Sequence, residues 1–235
     1  MPANNAGMSM SETEARAEGR REAAPAALVL FFLLVALALV SWLQGWELLG
    51  LPWWIWLVLG VPAFLLTIDL ALTLLGGGLV RSRRAALLLL GVLVLGNFAA
   101  LTILLAGLVT AKTSALGGEE LLLTGFAIWS TDVIVFGLLF WELDAGGPVA
   151  RLRAPARTTP DFQFPQDENP QLAKTGWLPD VWDYLYVSLT NSIAFSPTDA
   201  MPLSRHAKAM MGLESAISAM TVLLVAARAV NVLGS

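Results

Sequence analysis

Five apolar runs, each about 20 residues long, dominate this chain, and that length matches the hydrocarbon core of a bilayer. They are Ala26–Leu43, Trp53–Leu75, Ala85–Thr110, Leu121–Trp141 and Ala209–Leu233. Periodicity cannot separate strand from helix in runs so uniformly apolar. Lipid can, because a segment without water must satisfy its own backbone hydrogen bonds, and only a helix does so alone. Charged residues make up 14% of the chain, against roughly a quarter in soluble domains, and a small soluble core could not hide so many apolar runs. The expected fold is therefore all-α: a polytopic integral membrane protein with five transmembrane helices. Trp53, Trp54, Trp56 and Trp141 stand near the ends of these runs, where interfacial aromatics anchor a span.

The polar stretches between the runs divide the chain. Residues 1–25 read as an N-terminal tail, disordered or loosely helical, and 26–141 as a four-helix transmembrane region. Residues 142–180 form a Pro-rich loop, and 181–235 a final unit ending in the last helix. The first run is long for a signal peptide and leads into Trp42-Leu43-Gln44-Gly45 without a small-residue cleavage site, so it reads as an uncleaved span. In the Pro-rich loop, six prolines and Gly146-Gly147 exclude a long helix. There Phe162 and Phe164 offer either a docking or gating element or a loop edge packed against the membrane surface.

Basic residues set the orientation. The tail holds Arg16, Arg20 and Arg21, the second loop Arg81, Arg83 and Arg84, and the fourth Arg151, Arg153, Arg157 and Lys174. The first and third loops together hold only Lys112. The positive-inside rule then places the N-terminus and the second and fourth loops in the cytoplasm. The expected location is the plasma membrane, of the bacterial inner-membrane type, with the lipid bilayer as the first partner.

Several functions are excluded by what the chain lacks. A net charge of −4 with no basic cluster argues against nucleic acid as a partner. There is no cysteine and a single histidine, His206, so thiol chemistry, thiolate metal sites and histidine metal clusters are absent. No Gly-x-Ser-x-Gly elbow or histidine-centred catalytic pair is present. No catalytic residue, metal site or cofactor is expected, and the chain does not read as an enzyme.

The segment from Val181 to Pro202 is the most informative. Val181–Phe195 is apolar, yet about 15 residues fall short of the 20 needed to cross, and Ser196-Pro197 stops a helix. It reads either as a re-entrant half-helix, tolerated where protein or a water-filled cavity surrounds it, or as a short sixth span.

From Tyr186 to Arg228 the sequence resembles the pore module of the potassium-channel superfamily: pore helix, filter and inner helix. Tyr186-Val187-Ser188-Leu189 falls on the start of the pore helix, Asp199 on the aspartate that closes the filter and Pro202 on the proline after it. Lys208, Glu214 and Arg228 fall where the family often carries Arg, Glu and Arg. The departure lies at the filter, where T-V-G-Y-G is replaced by Ala194-Phe195-Ser196-Pro197-Thr198. The family filter stacks backbone carbonyls that replace the ion's water, and its glycines permit the required backbone angles. Ser196 and Thr198 remove those glycines, so a standard potassium filter is not expected. Ser218 stands where the inner helix carries its hinge glycine. The family's pore helix dips in from outside, whereas the arginines here place the preceding loop inside.

What the resemblance implies is a homo-oligomer around a pore that passes monovalent cations, with Asn191, Ser192, Ser196, Thr198 and Asp199 as polar groups of the pathway. Independently, Asp69, Asp132, Glu214 and Arg228 are ionisable residues inside apolar runs, where charge costs several kcal/mol unless paired or hydrated. Asp69 and Arg228 form a natural pair if the last helix returns to the cytoplasm. Asp132 follows Ser130 and Thr131, either of which could bond it locally, and is a relay site or a packing lock. Glu214 is a site residue or an interfacial or oligomer contact. The expected function is a channel-like or transport-related membrane protein with a non-standard filter; the alternative is a non-conducting scaffold that retains the pore-module fold.

Overall fold

The structure, a computed structural model, describes residues 11–74, 83–109, 118–153, 159–196 and 199–233. Its long helices are α1 (Glu12–Gln44), α2 (Trp54–Leu74), α3 (Arg83–Val109), α4 (Gly118–Leu143) and α8 (Arg205–Leu233). Short helices α5 (Pro148–Arg153) and α6 (Pro165–Glu168) lie in the Pro-rich loop, and α7 (Val181–Ala194) follows it. Of these, α1, α3, α4 and α8 are long and apolar enough to cross a membrane; the apolar stretch in α2, Trp54–Asp69, is shorter. The arrangement is compatible with a multi-pass membrane protein.

Helix α1 begins earlier than its apolar run. Ser11 and Glu14 form a reciprocal capping box, so the polar stretch from Glu12 is helical and continuous with the apolar part. This extension carries Arg20 to the end of α2, where its Nη1 lies 2.5 Å from Asp69 Oδ2. A cation at the same depth as Asp69 thus comes from α1. The side chain of Arg228 lies outside the described residues.

Helices α4, α7 and α8 form the other half of the bundle. A Cβ on Gly137 of α4 would stand 3.0 Å from the Leu185 backbone of α7. One helical turn further into the bundle Ser188 Oγ bonds the Val133 carbonyl at 2.7 Å, and a turn beyond that Trp129 Nε1 reaches Ser192 Oγ at 3.2 Å. Thus α7 runs antiparallel to α4. So does α8, which meets Asp132 through Ser218 and Gly125 through Val225. Helices α7 and α8 therefore descend side by side in the same direction.

Between them the chain returns. Strand β1 (Phe162–Gln163), ahead of α7, pairs antiparallel with β2 (Met201–Pro202), behind it. Phe162 lies opposite Pro202 and Gln163 opposite Met201, and Leu203 N donates to Asp161 O at 2.8 Å. The 14 residues of α7 advance about 21 Å, and residues 195–200 reach about 20 Å when extended. The chain therefore comes back to the end of the bundle from which α7 set out. Asp180 and Asp183 cap the start of α7 in a capping box, and Phe195 ends it with a left-handed φ of 54°.

The Pro-rich loop is packed, not free. Asp144 Oδ1 accepts from the backbone N–H groups of Asp161 and Phe162 at 2.6 and 3.1 Å, and Tyr184 Oη–H donates to Asp144 Oδ2. Around this hub Phe140, Phe162, Tyr184 and Phe164 pack in tilted and edge-to-face pairs, with ring centroids 5.1 to 6.1 Å apart. Arg151 is buried against the Tyr184 and Trp141 rings and donates to the carbonyls of Trp141 and Asp144, both at 2.7 Å. Phe162 and Phe164 are thus buried anchors of the loop.

Candidate functional site

The interface of α4, α7 and α8 holds a polar centre within apolar surroundings. Asp132 and Glu214 are both fully buried there, and the carboxyls are close enough to act on each other electrostatically. Neither is ion-paired among the described residues. A buried carboxyl without a cation must be stabilised by hydrogen-bond donors, and α7 supplies them to Glu214. Asn191 Nδ2 donates to Glu214 Oε2 at 2.6 Å and to the Met211 carbonyl at 3.0 Å, while Asn191 Oδ1 accepts from Ser215 Oγ at 3.1 Å. Ser188 Oγ lies between Glu214 Oε1 and the Val133 carbonyl, sharing one hydrogen between two acceptors.

Asp132 is bonded from α8 and approached by α3. Ser218 Oγ donates to Asp132 Oδ2 at 2.9 Å, which puts the residue aligned with the hinge glycine onto the buried carboxyl. Asn97 of α3 also stands beside Asp132, yet Asn97 Nδ2 and Asp132 Oδ1 are both buried without a bonded partner. The local bond expected from Ser130 or Thr131 is not the one formed. Thr131 Oγ1 lies 2.9 Å from Asn97 Oδ1 and from its own helix's carbonyls, because adjacent residues on a helix point to different sides.

The structure separates the residues expected along a pore. Asn191 and Ser192 are buried and tie α7 to its neighbours. Ser196 and Asp199 are exposed, and Asp199 lies near the Tyr186 hydroxyl. Thr198 lies outside the described residues. Glu214 faces inward to α7 within one chain. Asp69 lies apart, at the arginine-rich end with Arg20. Ser188 and Ser218 complete the centre; the sequence places them only within the pore-module resemblance and does not mark them as partners of the buried carboxyls. Ser188 could have been found by its spacing, since 188, 191 and 192 fall on one helical face.

Chemically, the centre can hold or exchange a proton or a small cation between two carboxyls, with hydroxyl and amide groups at hand. Among the described residues no group of three or more acidic, histidine or cysteine side chains could hold a metal ion. No protein-family model, curated protein or solved structure matches the chain at a significant level.

Proposed function

We propose that this protein is a channel-like or transport-related membrane protein of five spans, the fifth being α2, in which α7 is a re-entrant half-helix. The observation that supports this most is the β1–β2 pair, which brings the chain after α7 back beside the chain before it. Re-entrant backbone at membrane depth is tolerated only where protein encloses it or water reaches it. Ala194 to Ser196 and Asp199 are exposed in the single chain, so on this reading further copies of the chain cover them around a hydrated axis. The C-terminal end of α7 stops beside Trp129, near the middle of α4. A helix C-terminus carries partial negative charge, and two buried carboxyls lie close by, so the interior favours a monovalent cation or a proton over an anion. With the arginine-rich end in the cytoplasm, the half-helix enters from inside, inverted relative to the potassium-channel family it resembles.

Cation and proton flux into sealed liposomes containing the purified chain tests this reading. Flux is expected in the wild type, with loss in Asp132→Asn or Asp199→Asn. Flux equal to that of empty liposomes would instead favour a non-conducting scaffold. That second reading draws on the missing filter glycines and on the way Asn191 and Ser192 are bound into packing.

A further inference from the structure

Three cavities follow one another along the seam where α1 meets α3 and α4, the inner two also bounded by α2. The outermost, about 110 Å³, opens at the arginine-rich end and is lined by Arg16, Arg20, Arg83, Glu142 and the Gly146-Gly147 turn. The next, about 30 Å³, shares Arg20, Trp141 and Glu142 with it and is otherwise apolar, with Ala27, Leu66, Leu90 and Leu138 in its walls. The third, about 160 Å³, continues one turn deeper on each helix, at Leu30, Pro62, Leu93 and Val135. Its walls are apolar apart from Asn97 and Thr131, and a wholly apolar cavity near 150 Å³ stays dry and takes up hydrocarbon.

We infer that this seam binds one acyl chain of an anionic phospholipid, with its phosphate at Arg16, Arg20 and Arg83. Charge and length both select this occupant. Three guanidinium groups line the mouth against one carboxylate, Glu142; Arg20 also pairs with Asp69, Arg16 with Glu12, and Arg83 with Glu142 and with the Glu142 and Leu143 carbonyls. A basic pocket between spans at the cytoplasmic face is suited to an acidic headgroup. Arg20 and Leu30 are ten residues apart on α1, about 15 Å, which is half of the roughly 30 Å hydrocarbon core and so the depth of one leaflet. A chain that starts at the arginines therefore ends in the largest of these three cavities. The inference needs a membrane-embedded bundle and is independent of whether the protein conducts.

The test equilibrates the full-length protein with vesicles containing equal amounts of phosphatidylglycerol and phosphatidylcholine, then counts retained lipid by native mass spectrometry. About one phosphatidylglycerol per chain is expected, and Arg83→Gln lowers its preference about fivefold, the factor one guanidinium near an anionic surface is worth. Gly96→Leu fills the deep cavity, since a Cβ there meets only Leu59 at 3.5 Å, and is expected to abolish retention of both lipids. Equal retention of the two lipids by the wild type overturns the inference. So does displacement of phosphatidylglycerol by inorganic phosphate, which would mark an anion site without an acyl seam. A phosphatidylglycerol with a photoreactive acyl chain serves as an independent readout in the unmodified protein. Labelling of 27–37 and 90–100 is expected at the seam-lining Leu30 and Leu93; labelling confined to the outward Leu88 and Leu95 contradicts it.

Discussion

Asn191 and Glu214, 23 residues apart, meet in the interior through a 2.6 Å hydrogen bond from the amide to the carboxyl. The same amide nitrogen bonds the Met211 carbonyl at 3.0 Å, so one side chain ties α7 to α8 at two places. Truncating a donor in a buried pair leaves the acceptor unsatisfied, at a cost of about 1–3 kcal/mol. Asn191→Leu should therefore destabilise the protein by about that amount, read as a fall in the thermal midpoint in detergent. Glu214→Gln removes the carboxyl but keeps hydrogen-bonding atoms, and the double variant Asn191→Leu/Glu214→Leu should recover part of the loss. Full additivity of Asn191→Leu and Glu214→Leu, measured singly and together, would show that the residues do not interact.

The second expectation concerns the hub that folds the Pro-rich loop. Tyr184 on α7 and the N–H groups of Asp161 and Phe162 all bond to Asp144. Tyr184→Phe keeps the ring stack with Phe162 and Phe164 and removes one donor to a buried acceptor, again about 1–3 kcal/mol. The loosened loop should be cut faster by protease within 159–180, while the rest of the chain resists as before. Asp144→Asn is expected to loosen it further, because both backbone donors lose a charged acceptor. Unchanged cleavage in both variants would remove Asp144 as the organising residue.

How much of this could be read from residues alone depends on the physics at each level. The helices are legible where an apolar run is long enough, since bilayer thickness sets a length that a run meets or misses: α1, α3, α4 and α8 meet it, whereas the apolar stretch of α2 is shorter than its run in the sequence. The stop at Ser196-Pro197 is equally legible, since Pro cannot continue a helix. Partner choice is not. Ser218 finds Asp132 across 86 residues, and nothing in two apolar helices specifies which faces meet. The Arg20 partner of Asp69 is not legible because the polar residues after Ser11 look like a tail, whereas a capping box makes them a helix that carries Arg20 inward. The β1–β2 pair spans two residues on each side, too short to leave a strand pattern, yet it determines which end of the bundle α8 starts from.

Close helix packing gives a third expectation. A Cβ on Gly125 would collide with Val225 Cγ2, and one on Gly137 would stand 2.7 Å from Leu185 Cδ2 and 3.0 Å from the Leu185 backbone. Overpacking of this kind costs about 1–3 kcal/mol. Gly125→Ala should be rescued by Val225→Ala, because the obstacle is a side chain. Gly137→Ala should not be rescued by Leu185→Ala, since a backbone atom remains in the way. Thermal midpoints of the four variants decide it, and rescue at both sites would show that α7 can slide along α4.

The central claim is that α7 leaves and returns at the same end of the bundle, and it is tested most directly by thiol accessibility. The native chain has no cysteine, so single replacements at Asn169, ahead of α7, and His206, behind it, are the only reactive sites; both residues are exposed. Each variant is treated in sealed, right-side-out and inverted membrane vesicles with a thiol reagent that does not cross lipid. Both cysteines are expected to react from the same side, the cytoplasmic one. Reaction from opposite sides would mean that the segment crosses the membrane, and it would contradict the re-entrant arrangement on which the proposed function rests.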